Sequence, residues 1–188
     1  QVPFTTEAFV RGASLMEGER RYTSLVPAQL QRIAAEVDSD AFLFATLRKF
    51  DAILVGGQAS DFSLVEGLRA KGLNIVLSYG MAETAGGCVY DGIALDGVAV
   101  QIVDGLIEIS GPVLANGLGG SYLSNDLGEM VDGKLRVLGR ADRVIVSGGL
   151  KVSLERVEEA ALVISGVEEV AACSVKSEWG QKVGIVYS

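Results

Sequence analysis

The sequence predicts an α/β protein: a parallel sheet with helices, then a β-rich region, then a small α+β unit. Three observations carry this. The apolar runs Ala52-Ile53-Leu54-Val55 and Asn74-Ile75-Val76-Leu77-Ser78 flank a segment, residues 61–71, with Phe62, Val65 and Leu68 at helical spacing. From residue 98 onward apolar and polar residues alternate between Asp-Gly dipeptides. From residue 153 the run SLERVEEAALVI has helical period and is followed by two more apolar stretches.

The first helix is expected over residues 29–36, where Leu30, Ile33 and Ala34 share a face and Ser24 and Pro27 are start signals. A strand over 52–55 then ends in Gly56-Gly57, and one over 74–78 ends in Tyr79-Gly80; Ser60 or Asp61 caps the helix between them. Apolar runs without alternation fit parallel strands buried on both faces, joined by a crossover helix. Residues 98–103, 106–110 and 134–138 read as antiparallel strands. Asp104-Gly105 and Asp132-Gly133 read as their hairpin turns, which need positive φ at both central residues. Another strand, 144–147, ends in Gly148-Gly149. Ser153 then caps a helix with Leu154, Val157, Ala161 and Ile164 inward, and residues 170–175 and 183–187 are expected as strands.

Composition narrows the function. The chain has 188 residues, 49% of them hydrophobic, and a formal net charge of −8. Its sixteen Lys and Arg are scattered, which argues against a nucleic-acid surface and is easier to reconcile with a small-molecule partner. Cys88 and Cys173 lack the close spacing of a disulfide framework or zinc site, so a reducing cytoplasm is the expected compartment. The longest apolar runs fall far short of the roughly 20 residues of a membrane span, and residues 1–12 lack a signal peptide's apolar core. No histidine is present, which removes hydrolytic triads and most zinc catalysis.

Glycine-bearing segments follow three expected strands: Gly56-Gly57-Gln58, Tyr79-Gly80-Met81-Ala82-Glu83-Thr84 and Gly148-Gly149. In open α/β sheets ligands collect beyond the strand ends, though each pair also fits an ordinary turn. Glu83 suits a Mg²⁺ on a nucleotide phosphate or is a solvated turn acid. Tyr79 could stack on a base or belong to the core. Asp126 and Arg140 bracket the Asp132-Gly133 hairpin, as an ion pair or as a ribose clamp.

Taken in order, LSYGMAETAGG and SNDLGEMVDGKLRVLGRADRVIVSGGLKVSLERVEEA resemble the adenylate-forming enzymes, most clearly between residues 52 and 157. Within them, YGMAETAGGCVYDGIALDGVAV is most similar to the o-succinylbenzoate–CoA ligases of menaquinone biosynthesis. The resemblance implies residues 1–141 as the C-terminal portion of a large AMP-binding domain and 142–188 as the start of a small C-terminal domain, with a hinge at Asp142. It implies that Gly56, Gly57 and Gln58 border adenine and the acyl substrate, and that Tyr79, followed by Gly80, packs on adenine. By the same likeness Glu83 holds Mg²⁺, Asp126 holds the ribose, and Arg140 reaches ribose and phosphate. Gly86 and Gly87 would leave room for the acid, and Gly148 and Gly149 would line the CoA tunnel. The implied substrates are ATP, CoA and a small-molecule acid, joined through an acyl-adenylate.

The chain also departs from that pattern. Ala82 stands where a threonine is expected to meet the phosphate, and Asn125 where a glycine usually precedes the aspartate. A phosphate loop upstream of Gln58 and a catalytic lysine in a Gly-Lys context have no counterpart, and residues 117–123 make a shorter connection than usual. The expectation is a partial enzyme. A nucleotide-binding remnant without turnover, or a ligase for another aryl or fatty acid, are the alternatives.

Overall fold

A computed structural model describes residues 4–58, 60–167, 169–178 and 180–188. Residues 1–3 of the N-terminal stretch discussed above lie outside the described residues. Two compact units are present, Gln1–Ala99 with Gly111–Gly120, and Val100–Ser110 with Ser121–Ser188. No unit boundary falls at residue 141, so the division expected there concerns a pivot within the second unit and is a proposal about motion.

The first unit contains α1 (Thr6–Ser14), β1 (Tyr22–Leu25), α2 (Pro27–Glu36), α3 (Ala41–Leu47), β2 (Ala52–Val55), α4 (Phe62–Ala70), β3 (Ile75–Met81), β4 (Gly86–Tyr90) and β5 (Ile93–Ala94). They form one sheet in the order β1-β2-β3-β4-β5. The expected strand–helix–strand is present: β1, β2 and β3 are parallel, with Leu25 beside Val55 and Val55 beside Leu77. Because the chain steps twice in the same direction, right-handed crossovers place α2, α3 and α4 on one face. One core accordingly joins Leu30 and Ile33, Leu43 and Leu47, and Val65 and Leu68 to Ile53, Val55 and Ile75.

Helix starts follow capping chemistry. The Asp40 carboxylate accepts from the Phe42 and Leu43 N–H groups at 2.9 Å each, and Asp61 from Leu64 N–H at 3.2 Å. Pro27 begins α2 as expected, but Ser24 lies in β1, and the Gln29 side chain accepts from Val26 N–H at 3.0 Å instead. Two burial expectations are corrected. In β2, Ile53 and Val55 are buried while Ala52 and Leu54 are half-buried, so the strand is fully covered on one face only. Phe62, at the first turn of α4, is 67% exposed, because the inward stripe begins at Val65.

The second unit holds β6 (Ala99–Val103), β7 (Leu106–Ser110), β8 (Ser121–Val131) and β9 (Lys134–Arg140), an antiparallel sheet in that order. Both Asp-Gly turns have the expected paired positive φ: 50° and 82° at Asp104-Gly105, 49° and 76° at Asp132-Gly133. The long strand β8 was not expected, since SNDLG interrupts any apolar period. It is irregular where it must be: the register slips between Leu127 and Gly128, and a Cβ on Gly128 would meet Ile107 Cγ1 at 2.6 Å.

Next come β10 (Val144–Ser147), β11 (Leu150–Ser153), α5 (Leu154–Leu162), β12 (Val170–Ser177) and β13 (Gly180–Tyr187), with sheet order β11-β10-β13-β12. Ser153 caps α5 by accepting from Arg156 N–H at 3.3 Å. Leu154 packs with Ile145 and Ala172, with Val157 against them, and Ala161 is buried as expected. Ile164, expected inward, lies past the end of α5 and is 60% exposed.

Candidate functional site

In the first unit the site residues lie where β2 and β3 end. Gly56 follows β2, and a Cβ there would meet the Ser78 carbonyl oxygen at 2.7 Å, so the backbone can approach β3 only as glycine. Gly57 takes a φ of +88°, and Gln58 beside it is exposed. Tyr79 and Gly80 are not past the strand end, as expected, but inside β3, because β4 folds back and pairs with it, Tyr79 opposite Val89 and Gly80 opposite Gly87. The Gly80 and Gly86 backbones are so close that a Cβ on Gly80 would overlap the Gly86 carbonyl oxygen.

A 3₁₀ turn, Ala82–Thr84, joins the two strands and carries Glu83. Its conformation is fixed by Thr84, which is 2% exposed. The Thr84 hydroxyl accepts from Met81 N–H at 2.9 Å and donates to the Gly86 carbonyl at 2.7 Å. The turn is also tied down from outside, since Ala115 N–H donates to the Glu83 carbonyl at 2.8 Å. Ala82 is exposed, so a residue there can meet a ligand, whereas Thr84 is committed to the turn and is no substitute for the missing hydroxyl. Burial pushes the Cys88 thiol up despite a hydrogen bond with Thr84, making this cysteine an inert core group.

The two expected pocket glycines differ. A Cβ on Gly86 would meet nothing, but the space beside Gly87 is filled by the Ser78 hydroxyl and by Tyr90, whose OH donates to the Gly87 carbonyl at 3.1 Å. Sequence reasoning missed the brace behind this hairpin. Arg69 of α4 donates to the Ile75 carbonyl at 2.9 and 2.8 Å and to Asp91 at 2.5 Å, and Asp91 in turn accepts from Leu77 N–H at 2.9 Å.

In the second unit Asp126 of β8 and Arg140 of β9 are directly opposite in register, as the turn between them implied. Arg140 Nη1 is 3.4 Å from Asp126 Oδ1. A stronger partner was not foreseen: Asp142 accepts from Arg140 Nε at 2.9 Å and Nη2 at 2.6 Å. Asp142 lies on the 3₁₀ turn Ala141–Arg143 that follows β9. Gly148 and Gly149 form the two-residue turn between β10 and β11, with φ of 56° and 85°, and open space around both.

The donor set bears on Mg²⁺. Among the described residues no three His, Cys, Asp or Glu side chains form a metal cage. A single carboxylate such as that of Glu83 suits an ion that takes its remaining ligands from phosphate oxygens and water, as Mg²⁺ commonly does. No helix among the described residues is long and apolar enough to cross a membrane.

No family model matches the chain. It is 38% identical over 180 residues to a probable 2-succinylbenzoate–CoA ligase of Mycobacterium tuberculosis, which covers 87% of this chain and 46% of the relative. A variant of Escherichia coli MenE with bound OSB-AMS superposes with a TM-score of 0.74 at 25% identity, covering 96% of this chain and 42% of that one. The o-succinylbenzoate coenzyme A synthetase of Bacillus subtilis, in complex with ATP and magnesium ion, has the same fold with a TM-score of 0.80 at 21% identity, covering 98% and 44%. Over the part of their length that it spans, the chain is thus similar in sequence and fold to these ligases. Its curated relatives are 2-succinylbenzoate–CoA ligases, and it spans about half the length of the first of them.

Proposed function

We propose that this chain acts in an AMP-forming acid–CoA ligase specific for o-succinylbenzoate, and that its share of the work is to hold the adenosine and the metal-bearing phosphates. The carrying observation is the Asp126–Arg140 pair, a carboxylate and a half-exposed guanidinium set opposite each other by a two-residue turn. Asp126 accepts the ribose hydroxyls, and Arg140 donates to ribose and phosphate. The Gly56-Gly57-Gln58 loop and Tyr79-Gly80 border the adenine, and Gly86 leaves room for the acid, whereas the space beside Gly87 is taken by Ser78 and Tyr90. Glu83 would hold Mg²⁺, which would supply charge neutralisation on the phosphates. A substrate carboxylate attacks the α-phosphorus of ATP, releasing pyrophosphate, and the CoA thiol then displaces AMP. The first half needs no histidine, because positioned cations and backbone donors stabilise the developing charge. Asp142 is the pivot between the halves, which brings the Gly148-Gly149 turn to the thiol. Such chemistry belongs in the cytoplasm, which two cysteines without a disulfide support.

Exposed Ala82 favours a second reading, nucleotide binding without turnover. The two separate when the full-length gene product that carries this chain is given ATP, Mg²⁺, CoA and an acid while pyrophosphate is followed. Release with o-succinylbenzoate is expected, and Ala82→Thr is expected to raise it about tenfold, one charge-assisted hydrogen bond's worth. Release with only a fatty or another aryl acid would refute the substrate, and binding of AMP without any release would establish the second reading.

A further inference from the structure

Glu155, in the first turn of α5, reaches back across the turn that follows β9. Its Oε2 accepts from the Arg140 backbone N–H at 3.1 Å, and its Oε1 lies 3.7 Å from Arg143 Nε. Gly139 makes this approach possible, since a Cβ there would overlap Glu155 Oε2, and the residue has a φ of +123°. Glu158, three residues on and therefore on the same helix face, accepts from Arg143 Nη2 at 2.6 Å and from Ala172 N–H at 2.7 Å. Arg143 Nε is buried without a hydrogen-bond partner, so its charge is compensated by Glu155 at ion-pair distance.

An acid half-buried in this way is a poor device for stability alone, because desolvation offsets much of the Coulomb gain. What it accomplishes is placement. One carboxylate grips the backbone of Arg140 and the guanidinium of Arg143, the two ends of the segment that carries both Arg140 and Asp142. Arg140's own side chain is 46% exposed and is paired with the exposed Asp142 and, at 3.4 Å, with the half-buried Asp126, so its direction also depends on where its backbone is fixed.

We propose that Glu155 is the positioning residue for Arg140, and that its hold on the Arg140 N–H is a latch across the residue 142 pivot. The proposal rests on the nucleotide-binding reading given above. Arg140 precedes Asp142 in the chain and Glu155 follows it. A rotation about Asp142 therefore breaks the Arg140–Glu155 hydrogen bond while leaving Arg143 with Glu155 and Glu158. The latch thus ties the placement of the nucleotide-facing arginine to one orientation of α5.

The test uses the whole chain and two readouts, the exchange rate of the Arg140 amide by NMR and AMP affinity by calorimetry. In Glu155→Ala the amide is expected to exchange at least about tenfold faster and AMP to bind about tenfold more weakly. Glu155→Gln keeps a carbonyl oxygen for the Arg140 N–H and is expected to recover most of both. If Glu155→Ala does not fold, Glu155→Asp, which keeps the charge and shortens the reach, takes its place. Faster exchange with unchanged AMP affinity would overturn the positioning role, leaving a purely structural one. Unchanged exchange would overturn the latch. An unmutated chain that does not bind AMP at all would instead refute the nucleotide reading, with the amide measurement still deciding the latch.

Discussion

Arg140 faces two carboxylates, and they hold it unequally. Asp142 receives two of its N–H groups at 2.9 and 2.6 Å, while Asp126 is 3.4 Å away. The guanidinium pKa is raised further by this, first through the hydrogen bonds to Asp142, and the Asp142 carboxyl is held below its ordinary 3.8, first through the hydrogen bond from Arg140. A carboxylate with a depressed folded pKa contributes its interaction in full above the unfolded value and loses it as pH falls through the folded one. The pair is therefore intact at neutral pH and is lost only in strong acid. A carbon-13 NMR titration of Asp142 is expected to give a midpoint below 3.8 that rises in Arg140→Ala. A midpoint at 3.8 or above in the unmutated chain would show that the pair does not form in solution. The Asp126–Arg140 proximity was legible in the sequence, because an Asp-Gly turn fixes the strand register on either side of it. The Glu155–Arg140 contact was not. It depends on a helix folding back onto a strand at a glycine with positive φ, and no local spacing reports that.

The β3–β4 hairpin is the element on which the placement of Glu83, the proposed metal carboxylate, depends. Three features hold it: a Gly80–Gly86 approach that leaves no room for a Cβ, a left-handed Ala85 at φ 54°, and the buried Thr84 hydroxyl with bonds to both sides of the turn. Replacing Thr84 with Val leaves the Met81 N–H and the Gly86 carbonyl without that partner, at roughly 1–3 kcal/mol for a buried group. For a chain of this size that corresponds to about 2–4 °C in Tm per kcal/mol. Thermal unfolding is expected to show a drop of several degrees for Thr84→Val and little change for Thr84→Ser. Equal Tm values for the two variants would mean that the hydroxyl does not brace the turn. Helix and strand positions with clear periods, such as α4, β2, β7 and α5, were legible beforehand. β8 was not, because Ser124-Asn125-Asp126-Leu127-Gly128 combines turn-forming residues with the bulge that its bent path needs. The extension of β3 through Tyr79-Gly80 was hidden for a related reason. A glycine reads as a strand end, whereas here it permits close pairing with β4.

At the scale of the molecule, the candidate residues fall in both compact units: Gly56, Tyr79 and Glu83 in one, Asp126, Arg140 and Asp142 in the other. The fold class was readable from the change of hydrophobic period along the chain, and the order of the motifs is what proposes the site residues. The committed hydrogen bonds of Thr84, the space taken by Tyr90 beside Gly87, and the Asp142 partnership of Arg140 required coordinates, because each is a competition between neighbours for the same atoms. Calorimetric titration of the folded chain with AMP tests the central claim most directly. One-to-one binding, weakened about tenfold or more by Asp126→Ala, is the expected result. No heat of binding at millimolar AMP, or equal affinity in Asp126→Ala, would contradict it.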